Sequence, residues 1–292
     1  MIRLMHKHAR FLKMLSEAEA AVPTTGRIIM SKDGQGFCQL LLDNSSKKNA
    51  MSAQMMLDLA SHVDDLTIDD NSVTGVSLTA KTGGGVFCSG LDLSLAKSTV
   101  NSSTKGRMMY EFMTDALNRI RNAPFVSVAS IGGSCLGGGL ELVTCTDYRI
   151  AIQRESGNDI PYFQSVHAKI GATPGWGGLS RSMKIMGRND ALSMFGTSAR
   201  VPVEGAIDVG LVDFAIDYRG SDDAEEEFDD FCSMQGRNFL APFLSQPYPH
   251  SIRAMKTIIA TDRDDTEEIE GEVFESRWFG PDMQSALNAV KK

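Results

Sequence analysis

A chain of 292 residues is long enough for one large α/β domain with a sizeable core, and 42% hydrophobic with 23% charged residues is a globular composition, neither disordered nor fibrous. A formal net charge of -8 at pH 7 excludes nucleic acid as the main partner, because phosphate binding needs a basic face. No apolar run approaches the ~18 residues of a membrane helix.

The basic, acid-free start (Arg3, Lys7, Arg10, Lys13) predicts a helix from Met5 to Ala20, broken by Pro23 and Gly26. Arg27–Met30 and Phe37–Leu42 read as strands joined by the turn Lys32-Asp33-Gly34-Gln35-Gly36. Ser52 is an N-cap for a helix running to about Leu66, with Met56, Leu59, Ala60 and Val63 on one face. Val73–Ala80 is a strand, and Lys81–Asp92 a loop. Met109, Phe112, Met113, Ala116, Leu117 and Ile120 recur at helical spacing within a helix over Ser103–Arg121. Pro124 enters the strand Phe125–Ile131, a glycine-rich turn leads to a helix near Gly138–Thr146, and Asp147–Ile152 is the next strand. Strands alternating with helices imply βαβ units and a largely parallel sheet. After Asp213 the chain turns helix-rich, and the acidic runs Asp222–Asp230 and Asp262–Glu275 read as solvated helix faces. Cys38, Cys88, Cys135, Cys145 and Cys232 are scattered without CxxC spacing, so they read as small core residues of a reducing compartment and not as a disulfide or zinc framework.

Two glycine-containing loops stand at strand ends, Phe87-Cys88-Ser89-Gly90-Leu91-Asp92 and Gly132-Gly133-Ser134-Cys135-Leu136-Gly137-Gly138-Gly139. Glycines at a strand-to-helix junction let backbone amides approach a ligand oxygen, and two such loops side by side would aim two N–H groups at one carbonyl. For either loop alone, tight turns and close packing are the better explanation. A dinucleotide site is excluded, because GxGxxG with a downstream acid in a βαβ unit is absent.

Taken together, these loops resemble the enoyl-CoA hydratase/isomerase (crotonase) family. The resemblance runs through Val128-Ala129-Ser130-Ile131-Gly132-Gly133, Leu136-Gly137-Gly138-Gly139-Leu140-Glu141-Leu142 and Cys145-Thr146-Asp147-Tyr148-Arg149. Lys48-Asn49-Ala50-Met51, Gly171-Ala172-Thr173-Pro174-Gly175-Trp176-Gly177-Gly178 and Gly210-Leu211-Val212-Asp213 add to it. It implies an α/β crotonase superhelix of ββα repeats over residues 23–213, preceded by a helical extension (1–22) and followed by a C-terminal helical trimerisation module (214–292). It further implies an oxyanion hole made by the backbone N–H groups of Leu91 and Gly138. The CoA moiety is expected near Lys48, Asn49, Ala50 and Met51, with Gly90, Leu91 and Asp92 along the pantetheine and Gly137 among the substrate-binding residues.

Family hydratases flank a water with two glutamates. Here the first position holds Glu141 and the second holds His167, in Phe163-Gln164-Ser165-Val166-His167-Ala168-Lys169-Ile170-Gly171. Syn hydration needs both groups, so the exchange argues against a hydratase. Val166-His167 with Ile170-Gly171, then Pro174-Gly175-Trp176-Gly177-Gly178, is similar to the ethylmalonyl-CoA decarboxylase branch of the family. That branch implies His167 as the proton donor to the α-carbon, Glu141 as its neighbour, Trp176 as a pocket wall, and decarboxylation of ethylmalonyl-CoA and methylmalonyl-CoA. Arg154–Pro161 reads as an insertion that departs from the branch. His6, His8, His62 and His250 read as surface or structural. The alternatives are an enoyl-CoA isomerase or hydratase using Glu141, and a catalytically silent acyl-CoA binding protein. The expected partners are the acyl-CoA substrate and further copies of the chain, as a homotrimer or dimer of trimers, with no metal and no cofactor beyond CoA. The branch resemblance starts near Phe11–Leu15, leaving too short a leader for a cleaved targeting peptide of ~15–30 residues, so cytosol is expected, with mitochondrion as the alternative.

Overall fold

The computed structural model describes residues 2–70, 72–83, 85–154, 161–220, 224–261 and 266–290. The opening helix divides at His8 into α1 (Leu4–Lys7) and α2 (Ala9–Ala21), where a single helix was expected. Tertiary contacts explain the break. The His8 ring turns to Asp115 at 3.0 Å and meets Phe112 edge-on, while the Asp64 carboxylate accepts the N–H groups of Leu4 (2.6 Å) and Met5 (3.0 Å) and so caps α1 from another helix.

The hairpin forms as expected from β1 (Arg27–Lys32) and β2 (Phe37–Asp43), with the Asp33 carboxylate accepting the Gln35 and Phe37 N–H groups in the turn. The Ser52 hydroxyl accepts the Met55 N–H at the start of α3 (Ala53–Asp64), a cap contributing about 1 kcal/mol. Then follow β3 (Gly75–Ala80), β4 (Val86–Cys88), α4 (Leu93–Ser98), α5 (Ser103–Asn122), β5 (Val126–Ile131), β6 (Ser134–Leu136) and α6 (Gly138–Val143). Next come β7 (Tyr148–Arg154), β8 (Tyr162–Gln164), α7 (Gly178–Met186), α8 (Arg188–Thr197), β9 (Val201–Pro202), α9 (Val203–Asp208) and β10 (Phe214–Tyr218). Four helices close the chain: α10 (Glu225–Leu244), α11 (Pro249–Ala260), α12 (Thr266–Arg277) and α13 (Pro281–Val290).

The strands sort into two sheets. One runs β1-β2-β3-β5-β7-β10, all parallel after the first hairpin; the other runs β4-β6-β8-β9. Each pair β3/β4, β5/β6 and β7/β8 therefore places its first strand in the large sheet and its second in the small one, the crotonase superhelix of ββα units. The six residues of β3 and the six of β5 are buried throughout, as parallel strands covered on both faces must be. One core lies under α2, α3 and α5, and a second, with Val128, Ile150, Tyr218 and Phe228, lies under α10.

Three departures from expectation have local causes. The loop expected over Lys81–Asp92 contains β4, and the glycine-rich turn contains β6; strands of three residues are too short to show a period. The segment after Asp213 begins with β10, which pairs parallel to β7 before the helices start. Asp229, expected on a solvated face, turns inward to accept the Thr82 N–H and hydroxyl, and burial pushes its carboxyl up. Of the expected insertion at Arg154–Pro161, residues 155–160 lie outside the described residues; Arg154 itself sits 4.0 Å above the Phe228 ring and 3.1 Å from Glu225.

Candidate active site

The two glycine loops meet where β4 and β6 end. Gly90 has φ +95, and a Cβ there would fall 2.8 Å from the Gly138 backbone N, so only glycine permits this approach. Gly137, at φ +52, donates its N–H to the Gln164 carbonyl (2.9 Å), which ties the start of α6 to the strand leading to His167. Among the described residues, the N–H groups of Leu91 and Gly138 enter none of the backbone hydrogen bonds.

The expected CoA segment is laid alongside this junction. Met51 donates to the Gly90 carbonyl (2.7 Å), Asp92 donates to the Met51 carbonyl (3.1 Å), and Ser89 donates to the Lys48 carbonyl (3.0 Å). Within it, Lys48 is exposed, Ala50 is half-buried and Met51 is fully buried. Asn49 faces the interior. Its Oδ1 accepts the Asn44 N–H (2.8 Å) and its Nδ2 donates to the Lys81 (2.7 Å) and Val86 (3.4 Å) carbonyls, so its amide braces the loop. Asp92 caps α4 through the Ser94 N–H and pairs with Lys47 at 3.3 Å.

The acid/base positions lie close together. Glu141, on α6, is 1% exposed, and its carboxylate accepts three backbone N–H groups: Gly175 at 3.0 Å, Trp176 at 2.8 Å and Gly178 at 2.8 Å. His167 Nε2 stands 3.3 Å from Glu141 Oε1, longer than the 2.7–2.9 Å common for a charge-assisted hydrogen bond. His167 Nδ1 is 3.0 Å from the hydroxyl of buried Ser165. The His167 side chain is 13% exposed, so it reaches solvent. The Trp176 ring lies over Gly138, where a Cβ would fall 2.5 Å from ring atom Cζ3; Val166 Cγ2 stands 3.1 Å from the corresponding position on Gly137. Apolar side chains thus flank both residues that open α6, Val166 at Gly137 and Trp176 at Gly138.

Sequence reasoning missed Ser165 and Arg181. Arg181, at 3% exposure, donates to the Thr144 hydroxyl (3.0 Å), Asn118 Oδ1 (3.1 Å), the Glu141 carbonyl (3.0 Å) and the Trp176 carbonyl (2.8 Å). Burial pulls its guanidinium down from the ordinary value. An arginine on an amphipathic helix gives no sequence sign that it points inward; Ser165, two residues before His167, was the more legible of the two. His62 holds the Ile28 carbonyl at 2.8 Å and His8 holds Asp115, both structural. All five cysteines are free and buried, and burial pushes the Cys38 and Cys88 thiols up to about 12.

A twisted parallel sheet feeding strand pairs into a second sheet, with glycine-bounded amides and a carboxylate at their junction, defines a crotonase-type fold. Residues 32–219 match the model of the enoyl-CoA hydratase/isomerase family, and the chain belongs to that family. The chain is 33% identical to an ethylmalonyl-CoA decarboxylase of Xenopus tropicalis over 92% of its own length and 85% of that protein. It is 32% identical to an ethylmalonyl-CoA decarboxylase of Gallus gallus, over 91% of this chain and 85% of that one. Among solved structures it superposes on an enoyl-CoA hydratase from Bacillus anthracis with a TM-score of 0.74 at 21% identity, covering 91% of this chain and 96% of that one. An enoyl-CoA hydratase from Geobacillus kaustophilus gives a TM-score of 0.76 at 19% identity, over 91% and 94% of the two chains.

Proposed function

We propose that this protein is a carboxy-lyase that converts ethylmalonyl-CoA to butyryl-CoA, and methylmalonyl-CoA to propionyl-CoA, with release of CO₂. The observation that carries the reading is His167 standing beside Glu141 where a hydratase would place a second carboxylate, in a chain similar to ethylmalonyl-CoA decarboxylases.

In this reading the thioester carbonyl accepts the N–H groups of Leu91 and Gly138. The bond between the α-carbon and the carboxylate breaks, its electron pair passes into the thioester enolate, and neutral CO₂ leaves. One oxyanion donor of this kind contributes ~2.7–4 kcal/mol to the transition state. The apolar surfaces of Trp176 over Gly138 and Val166 beside Gly137 favour neutral CO₂ over a buried anion. His167 then delivers a proton to the α-carbon and is reprotonated from solvent. Glu141, with its oxygens committed to three backbone amides, acts by holding His167 and the Gly175–Gly178 loop. The same commitment weighs against Glu141 as the shuttling base of an isomerase. The reaction draws on no group beyond the CoA thioester itself.

Exposed Met255, Ile259, Phe274, Trp278 and Phe279 on and between α11, α12 and α13 support association of copies through the C-terminal helices, for which we propose a trimer or dimer of trimers.

The test is CO₂ release and butyryl-CoA formation from ethylmalonyl-CoA by wild type and His167→Ala, with methylmalonyl-CoA and a 3-enoyl-CoA in parallel. Turnover of the malonyl thioesters that falls about 10²–10⁴-fold in the variant supports both the reaction and the donor. Isomerisation of the enoyl-CoA with no CO₂ from either malonyl thioester would discard the reading.

A further inference from the structure

We infer that Arg181 is a positioning residue for the reaction proposed above: its guanidinium locks the Trp176 loop to α6, and thereby fixes where the ring wall and the Glu141–His167 pair stand relative to the Gly138 amide. The case begins with what one planar cation spans. A single terminal nitrogen, Nη2, donates both to the Glu141 carbonyl at 3.0 Å and to the Trp176 carbonyl at 2.8 Å. The first acceptor belongs to α6, whose opening amide is Gly138; the second belongs to the loop carrying the Trp176 ring that covers Gly138. Nε and Nη1 are fixed in turn by Thr144 and Asn118, so the fork cannot rotate away without losing four bonds.

The same loop is held on its other side by the Glu141 carboxylate, through the N–H groups of Gly175, Trp176 and Gly178. Residue 176 is therefore gripped by both backbone polar atoms, its N–H by an anion and its C=O by a cation. The packing leaves no slack, because a Cβ on Gly178 would fall 2.3 Å from Glu141 Cγ and one on Gly177 would fall 2.9 Å from Arg181 Nη1. A loop held this way has one position, and a displacement of about 1 Å at a reacting centre costs on the order of 10²-fold in rate.

Lysine cannot replace this fork, since a point charge on a flexible stem does not reach four divergent acceptors. An opening of about 180 Å³ is bordered by Thr114, Asn118, Gly177, Ser180 and Arg181 itself, so a small cation in solution has a route to the space that an alanine at residue 181 would vacate.

The experiment uses the full chain carrying Trp278→Phe, which leaves Trp176 as the sole tryptophan. Arg181→Lys, Arg181→Ala and Asn118→Ala are compared for kcat and KM on ethylmalonyl-CoA, and for Trp176 emission and iodide quenching. The expected result for Arg181→Lys is kcat down about 10–100-fold with KM changed less than about 3-fold, together with red-shifted, more quenchable emission. Asn118→Ala, which loosens one of the four bonds, is expected to lower kcat about 2–5-fold. Millimolar guanidinium should restore part of the kcat and the blue emission of Arg181→Ala. Should Arg181→Ala fail to fold, the other two variants decide the matter alone. Unchanged kcat and emission in folded Arg181→Lys, or a kcat loss that only follows the fraction unfolded, overturns the assignment. The emission measurements need no substrate. Absence of CO₂ release by wild type would therefore count against the decarboxylase reading, while Trp176 emission still judges Arg181.

Discussion

Glu141 and His167 approach to 3.3 Å on elements far apart in the chain, yet the shorter bonds of Glu141 go to the backbone of residues 175–178. A buried carboxylate satisfied by three amides is a structural keystone as much as an electrostatic partner. Its removal leaves two buried donors, on Trp176 and Gly178, and one half-buried donor, on Gly175, unmatched. Glu141→Ala is expected to lose about 3–5 kcal/mol of stability, in the range for breaking a buried charged pair. Glu141→Gln is expected to lose about 1–3 kcal/mol, because its amide nitrogen must face an N–H donor. Urea midpoints of the two variants read this directly. A Glu141→Gln protein as stable as wild type would mean that the three amides do not depend on the charge.

The contact between Gly138 and Trp176 makes a different prediction. A methyl group at residue 138 would sit 2.5 Å from the indole, so either the ring or the helix start must move. Gly138→Ala is expected to cost about 1–3 kcal/mol through overpacking, and about 10²-fold in kcat through displacement of the amide. Combining it with Trp176→Ala removes the clash. The double variant should then be more stable than the sum of the single losses by at least about 1 kcal/mol. Strict additivity in thermal unfolding would show that the two positions do not press on each other.

The N-terminal helices are held by a cluster that titrates in acid. Burial alone would raise the Asp115 carboxyl, but hydrogen bonds from Lys7, His8 and Arg119 outweigh it and bring the group down to about 2. A carboxyl depressed on folding contributes stability that is complete above its unfolded value near 3.9 and is lost as pH falls through the folded value. The window is therefore about pH 4 down to about pH 2. Because the cluster is partly solvated, its contribution is on the order of 1 kcal/mol after screening. Asp115→Asn should flatten the pH dependence of the unfolding free energy across that window. An identical acid limb in the variant would assign the acid sensitivity elsewhere.

Much of this molecule is legible in its residues, for reasons that differ by element. The stripe from Phe112 to Ile120 predicts α5 nearly to its ends, because one face of a long helix must repeat its apolar side chains. Gly90 marks the junction because a Cβ there would fall 2.8 Å from the Gly138 backbone N, and Gly138 because one there would press on the Trp176 ring. Short strands such as β6 and β8 escape notice, since three residues carry no period and only their partners define them. The division of the first helix at His8 depends on Asp64 and Asp115, which lie some sixty and a hundred residues away in sequence. Arg181 is the sharpest case. Nothing in Leu179-Ser180-Arg181-Ser182 distinguishes a buried fork from a surface cation, because two of its acceptors are backbone carbonyls, which every residue has, and the other two, on Thr144 and Asn118, come from other helices or loops.

Asn49 separates two roles that its place in the chain leaves open. If its amide touched the CoA moiety, replacing it would weaken ligand binding and leave stability alone. Its side chain instead satisfies the Asn44 N–H and the Lys81 and Val86 carbonyls, in a fully buried position with φ +51. Asn49→Ala is therefore expected to cost about 2–4 kcal/mol, from the orphaned backbone groups together with the left-handed backbone that alanine tolerates poorly. Asn49→Gly loses the same bonds but accepts that backbone, and should be about 1 kcal/mol more stable than the alanine variant. Calorimetric titration with CoA then completes the comparison. A variant that unfolds earlier but, while folded, binds CoA within about 3-fold of wild type supports the bracing role. A variant with unchanged melting and a tenfold weaker Kd would move Asn49 into the ligand site.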